Sequence, residues 1–165
     1  MQDDEFRAFY QEHARRLWAY LARLTGDPTA ADDIAQEAFL RMLTASAAAR
    51  LTGEHRKNYL YKVATNLARR HLRRPRDEAL VNTLGEPLEE EPDEILAVRQ
   101  ALSRMKESER GLLWLAYVEG FSHREIARML GYREQSIRPL LHRARAKLVR
   151  LLRRVPGRLR KGEKP

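Results

Sequence analysis

The chain has 165 residues, no cysteine and a formal charge of +9, a size that admits one ordinary domain or two small helical ones. Without cysteine there is neither a disulfide nor a thiolate metal site, and no apolar run approaches the roughly 20 residues of a membrane span. Lys and Arg stand against Asp and Glu as 13 to 9 over residues 1–75, 5 to 11 over 76–119 and 14 to 3 over 120–165. So concentrated a positive charge suits a polyanion, because each cation near a phosphate releases a condensed counterion. A solvated basic surface accounts for the charge alone equally well. Asp3, Asp4 and Glu5 carry the wrong charge for a signal peptide, so a soluble cytoplasmic protein is expected.

Strand signals are nearly absent, and apolar residues recur at helical spacing. Phe6, Tyr10, Leu17, Leu21 and Leu24 line one face of a first helix, which Gly26-Asp27-Pro28 breaks. A second helix is expected from Thr29 as cap, with Asp32 three residues on, to about Leu43, turning Ile34, Ala38 and Met42 inward. Ala45 to Arg56 reads as a loop. A third helix follows from about Lys57, with Leu60, Val63, Ala64 and Leu67 on one side and a basic end, Arg69-Arg70-His71-Leu72-Arg73-Arg74, before Pro75. Cations there also offset the negative end of the helix dipole.

Four interruptions, Pro75, Gly85, Pro87 and Pro92, break up an acidic stretch that cannot bury enough apolar surface to order itself. This stretch divides the chain into a helical domain (1–75), an acidic linker (76–93), a second helical domain (94–155) and a basic tail (156–165). In the second domain Ile95, Val98, Leu102 and Met105 mark a fourth helix, and Ser108 to Glu119 a fifth that ends at Gly120.

The sharpest local signal begins at Phe121. Ser122 and Glu125 form a capping box, each side chain satisfying the other's free backbone N–H, and Phe121 with Ile126 can staple it. Gly131 should end that helix in the left-handed region. Ala127, Gly131 and Ile137 then supply the small, turning and apolar positions of a helix-turn-helix. The next helix carries Arg138, Arg143, Arg145, Lys147 and Arg150, with Leu141, Ala144 and Leu148 towards the core, an arrangement suited to the major groove. A helical hairpin with a solvated basic face is the plainer alternative. Pro139 would cost about 3 kcal/mol inside a helix. With Ser136 as cap it falls in the tolerant first turn, so the expectation is a helix starting near Ile137, or one kinked at Pro139.

Three stretches resemble one family. Asp32-Asp33-Ile34-Ala35-Gln36-Glu37-Ala38-Phe39-Leu40-Arg41 is similar to the second conserved region of extracytoplasmic-function sigma factors, a group of the sigma-70 family. Tyr59 to Ala68 with the arginines after it resembles their promoter-melting helix, and Tyr117 to Leu148 their fourth region. The resemblance covers roughly residues 5–74 and 94–152, in the family's order. It implies an all-α fold of two small helical domains joined by the acidic linker, the second a helix-turn-helix. The implied function is that of an RNA polymerase sigma factor directing promoter recognition, melting and transcription initiation. Its implied partners are core RNA polymerase (clamp and flap), promoter DNA both duplex and melted, and an anti-sigma factor.

On that resemblance Asp33, Gln36, Glu37 and Arg41 would contact polymerase; a merely solvated flank is the alternative. Asn58, Tyr59, Tyr61, Lys62, Thr65, Asn66, Arg69, Arg70, Arg73 and Arg74 would bind the downstream promoter element, rings stacking on bases and cations holding phosphates. Tyr59 stands where the family usually has Trp, and either stacking or core packing would suit it. The loop Leu51 to Asn58 would take up a flipped base. The linker would thread the polymerase channel with carboxylates in place of RNA phosphates, or serve as a plain tether. Arg133, Glu134, Gln135, Ser136, Arg138, His142 and Arg143 would read the upstream element. Two departures bear on that reading: Pro139-Leu140 replaces a common Ser-Arg, and Arg133 a common Ser cap.

An enzyme is not expected, and no cofactor or metal. His13, His55, His71, His123 and His142 lack ligand spacing, and no glycine-rich phosphate loop is present. Asp32 and Asp33, as helix neighbours, point about 100° apart and make a poor acid–base pair. The rival is a free-standing helix-turn-helix transcriptional regulator of duplex DNA. It would usually need a dimerisation helix, which is not evident, and would leave the two N-terminal motifs without a role.

Overall fold

The structure, a computed structural model, describes residues 3–73 and 93–154. Most of the acidic linker, the basic tail and Arg74 lie outside the described residues. Eight helices and no strand occur among those residues: α1 (Asp3–Thr25), α2 (Pro28–Thr44), α3 (Ser46–Ala49), α4 (Gly53–Leu72), α5 (Asp93–Ser103), α6 (Glu107–Tyr117), α7 (His123–Leu130) and α8 (Glu134–Arg153). The all-α expectation holds.

Helix α1 opens on three acids, which favour a helix N-terminus. Its inward face is Phe9, His13, Leu17, Tyr20, Leu21 and Leu24. The expected stripe is therefore correct in its second half, while Tyr10 stands 46% exposed with its ring 4.8 Å from that of Phe39. Thr25 donates to the Leu21 carbonyl at 2.8 Å, and Gly26 turns the chain at φ 70°. The cap of α2 is Asp27 and not Thr29: its carboxylate accepts from the Ala30 N–H at 3.1 Å, and Pro28 takes the first helical position, where its missing N–H costs nothing. Ile34, Ala38 and Met42 face inward as expected.

The segment expected to be a loop instead holds α3 and the first turn of α4, which starts at Gly53. A buried arginine accounts for the early start. Arg56 donates to the Leu51 carbonyl at 2.9 Å and to Glu5 at 2.8 Å, and lies 5.7 Å above the Phe9 ring, tying this turn to α1. In α5 the inward residues are Ala97 and Ala101, while Ile95 and Val98 face solvent; α5 lies against α8, and small side chains let the two helices approach.

One buried cluster runs from Phe9 through Tyr61 and Phe121 to Ala144, so the α1–α4 half and the α5–α8 half share a core. Helix α6 packs on α1, and α7 on α4. Gly111 permits the first contact: a Cβ there would meet the Leu24 Cδ1 at 3.0 Å. Arg110 adds a hydrogen bond to the Leu24 carbonyl at 3.3 Å.

Candidate nucleic-acid interface

The helix-turn-helix forms as its local chemistry requires. The Ser122 hydroxyl accepts from the Glu125 N–H at 3.3 Å, and Glu125 accepts from the Ser122 N–H at 2.8 Å and its hydroxyl at 2.7 Å. Burial pushes the Glu125 carboxyl up. The Ser122 bonds, Asn58 and the Lys57 charge outweigh that and hold it below the usual carboxylate range. Phe121 and Ile126 are both buried, and Gly131 ends α7 at φ 70°. Ile137 is wholly buried, as the plug position demands.

Helix α8 corrects the expected start near Ile137. It begins at Glu134 with Arg133 as cap residue, three positions before Ile137, and runs through Pro139 as its sixth residue. Ser136 is not the cap. Pro139 and Gln135 both lie on the exposed side, so the Gln135 carbonyl that loses its N–H partner can be served by water. Meanwhile Ile137, Leu141 and Ala144 hold the opposite face in the core. Arg133, Glu134, Gln135, Arg138, His142 and Arg143 are exposed together along the front of α8, and Ser136 is half-buried among them. Lys147, by contrast, is tied to Glu109 at 2.6 Å.

The nine downstream-element candidates among the described residues divide into two stripes. Tyr59, Lys62, Asn66, Arg70 and Arg73 step by three or four residues along one face; Tyr59 is half-buried and the rest are exposed. Asn58, Tyr61, Thr65 and Arg69 form the neighbouring face, which is turned into the molecule. Asn58 donates to Glu125 at 2.7 Å, and Arg69 to the Leu130 carbonyl at 2.8 Å. Tyr61 is fully buried, its ring 5.1 Å from Phe121 and 5.6 Å from Tyr20. Thr65 donates to the Tyr61 carbonyl at 2.7 Å, which leaves Tyr20 to donate to Thr65 at 3.0 Å. Burial raises both phenols, Tyr20 to about 12. Tyr61 and Thr65 are thus core residues in this arrangement and cannot meet a base. An aromatic in a cation-rich helix reads alike as a stacking platform or as core, and here the core takes it.

On α2, Asp33, Gln36 and Arg41 are exposed, and Glu37 holds Arg41 at 2.6 Å. Asp33, Glu37 and Arg41 line a groove of about 310 Å³ with Arg70 and His71 of α4.

One group had no signal in the sequence. The Glu119 side chain is inaccessible to solvent although it sits beside an exposed Val118, and it lies 3.2 Å from Arg16 and 3.9 Å from Lys57. Trp114 donates to it at 3.3 Å. Both cations belong to the other half of the chain, so only the fold brings them together.

Comparison with known proteins matches residues 9–78 to the Sigma-70 region 2 model and residues 95–148 to the Sigma-70, region 4 model. The ECF RNA polymerase sigma factor SigL of Mycobacterium tuberculosis is 33% identical over 84% of this chain and 83% of its own length. The chain belongs to the extracytoplasmic-function sigma factors of the sigma-70 family. RNA polymerase sigma factor YlaC of Bacillus subtilis is 30% identical over 88% of each chain. The fold matches that of the sigma factor RpoE from Bartonella quintana, solved in complex with the anti-sigma factor NepR. The TM-score there is 0.73 at 19% identity, over 92% of this chain and 98% of that one. This sigma factor therefore serves transcription initiation by RNA polymerase, and the resemblance noted in the three motifs is a true membership.

Proposed function

We propose a division of labour along the chain of this sigma factor. Residues 1–75 engage the polymerase clamp and the downstream promoter element, and residues 94–155 read the upstream element and meet the flap. The observation that carries this is the pair of exposed cationic stripes, one on each half: Lys62, Arg70 and Arg73 with the amide of Asn66 on α4, and Arg133, Arg138 and Arg143 with the imidazole of His142 on α8. Cations spaced along a helix face hold successive phosphates, while the N-terminal side chains of α8 reach base edges. Asp33, Gln36, Glu37 and Arg41 supply the polymerase contact on α2. An anti-sigma factor is a fitting regulator, since the RpoE structure of like fold was solved with one. The chain acts in the cytoplasm and itself catalyses no reaction.

The test adds the purified protein to core RNA polymerase on promoter fragments of the host and maps transcript starts. Specific starts, lost in Asp33→Arg and in Arg138→Ala, bear out both surfaces. Tight binding of duplex DNA with no starts would turn the assignment towards a free-standing regulator.

A further inference from the structure

We propose that the C-terminal half of α8 is a second DNA site, in which Arg150, Arg153 and Arg154 hold duplex phosphates flanking the element that the front of the helix reads. The proposal rests on the reading of α8 as the upstream-element helix. It goes beyond that reading in taking the backbone of neighbouring DNA and no base sequence.

Length is the first observation. Helix α8 has 20 residues, Glu134 to Arg153, and so is about 30 Å long. The major groove is only about 12 Å wide, and a recognition helix meets base edges with its N-terminal residues. The last turns of α8 therefore stand beyond the groove wall, where phosphates are the chemistry within reach.

Charge is the second. Over residues 145–165 nine Lys and Arg stand against one acid, Glu163. Arg150, Arg153 and Arg154 are all exposed, and none forms an ion pair among the described residues. Lys147 differs: its bond to Glu109 fixes this stretch of α8 to the start of α6, while Leu148 and Leu151 pack against the core. The arginines are thus carried on a rigid support. Offsetting the helix dipole does not account for them, since that amounts to about half a charge against three guanidiniums.

Continuity with the recognition front decides the occupant. Arg143, Arg150 and Arg154 step by seven and four residues, which keeps them on one face of α8, with Arg153 beside it. A duplex engaged at Arg143 meets the same face further along. An acidic protein could also answer this charge, but only DNA is already brought to that face by the front of the helix. The front itself lacks a cation at Leu140, where the family commonly has arginine, so phosphate contacts further along restore part of the hold.

The test uses the full chain with Arg150→Gln, Arg153→Gln and Arg154→Gln together, because glutamine keeps the helix propensity of arginine. Holoenzyme is assembled on a promoter found by start mapping, and hydroxyl-radical cleavage maps the protected backbone. Protection flanking the upstream element is expected in the wild type and lost in the triple variant, with the start position unchanged. For the free protein on a 40-base-pair mixed-sequence duplex, the slope of log affinity against log salt should fall by about 2–3, at about 0.9 per phosphate released. Arg145→Gln is the charge control, since Arg145 is exposed but lies about 200° around the helix from Arg143. If it lowers the slope as much as Arg150→Gln alone, net charge is acting and the proposed face is wrong. Protection and slope unchanged in the triple variant also overturn the proposal, as does a loss of core polymerase binding in place of the loss of protection. A wild type that forms no promoter complex refutes the reading of α8 beneath it.

Discussion

Replacing Pro139 by alanine should stabilise this sigma factor. Proline in a helix interior is about 3 kcal/mol less favourable than alanine, through a lost hydrogen bond and a clash of its ring with the carbonyl four residues back. Pro139 is the sixth residue of α8, so the full interior penalty applies in principle. Two features of the structure reduce it. Gln135 is exposed, and water on its carbonyl can recover about 1 kcal/mol of the lost bond. Pro139 is exposed too, so alanine gives up no core contact. The expected gain is about 2 kcal/mol, or about 4–8 °C in the thermal midpoint of a chain this size. Calorimetry of the two proteins in one buffer measures it. An unchanged or lowered midpoint would refute the account of Pro139 as an interior, unsatisfied position. The same variant asks whether the proline shapes upstream recognition, since it leaves Arg138, His142 and Arg143 in place.

Gly131→Ala should cost about 1 kcal/mol although nothing lies within 4 Å of the added Cβ, because the penalty is the left-handed backbone itself. Gly131→Asn should cost less, and urea midpoints will rank the two. Burial holds the His13 imidazole below its ordinary pKa despite the opposing charge of Glu12. The unfolded chain therefore takes up the proton first, so stability is full above the ordinary value of 6.5 and falls as pH drops below it. Urea midpoints from pH 7.5 to 5.5 should show a decline that His13→Phe flattens. Arg143→Ala should weaken duplex binding evenly across sequences and lower the salt slope by about one, as for a lost phosphate contact. A loss confined to one promoter sequence would instead make Arg143 a base reader.

The parts of the fold legible in the sequence were those decided by neighbours. The Ser122–Glu125 box, the turn at Gly131 and the inward Ile137 each depend on residues within a few positions, and each formed as read. Capping was legible in kind but misplaced at α2, where Asp27 ahead of Pro28 competes better than Thr29. The start of α4 was missed because its cause, Arg56 reaching Glu5, spans 51 residues. Ile95 and Val98 marked α5 correctly, yet both face solvent, because periodicity marks an apolar face without saying what will cover it. For the candidate site the limit was the same. The α4 sequence names cations and aromatics, but which stripe is open and which is sealed depends on Phe121, Glu125 and Leu130, beyond the linker. Glu119 looked like one more acid near a helix end, and only two cations from α1 and α4 give it a role.

The shared core has a consequence for synthesis. Tyr61 leaves the ribosome 60 residues ahead of Phe121, its ring partner across the two halves. At about 5–20 residues per second that gap lasts roughly 3–12 s, long compared with helix formation. During it the nascent α1–α4 bundle presents the uncovered side of Tyr61 and the Leu24 face to whatever is near, chaperones included. A chain stopped in the linker would keep that face open for good, and its solubility would reveal how much of the first half's integrity is borrowed from the second.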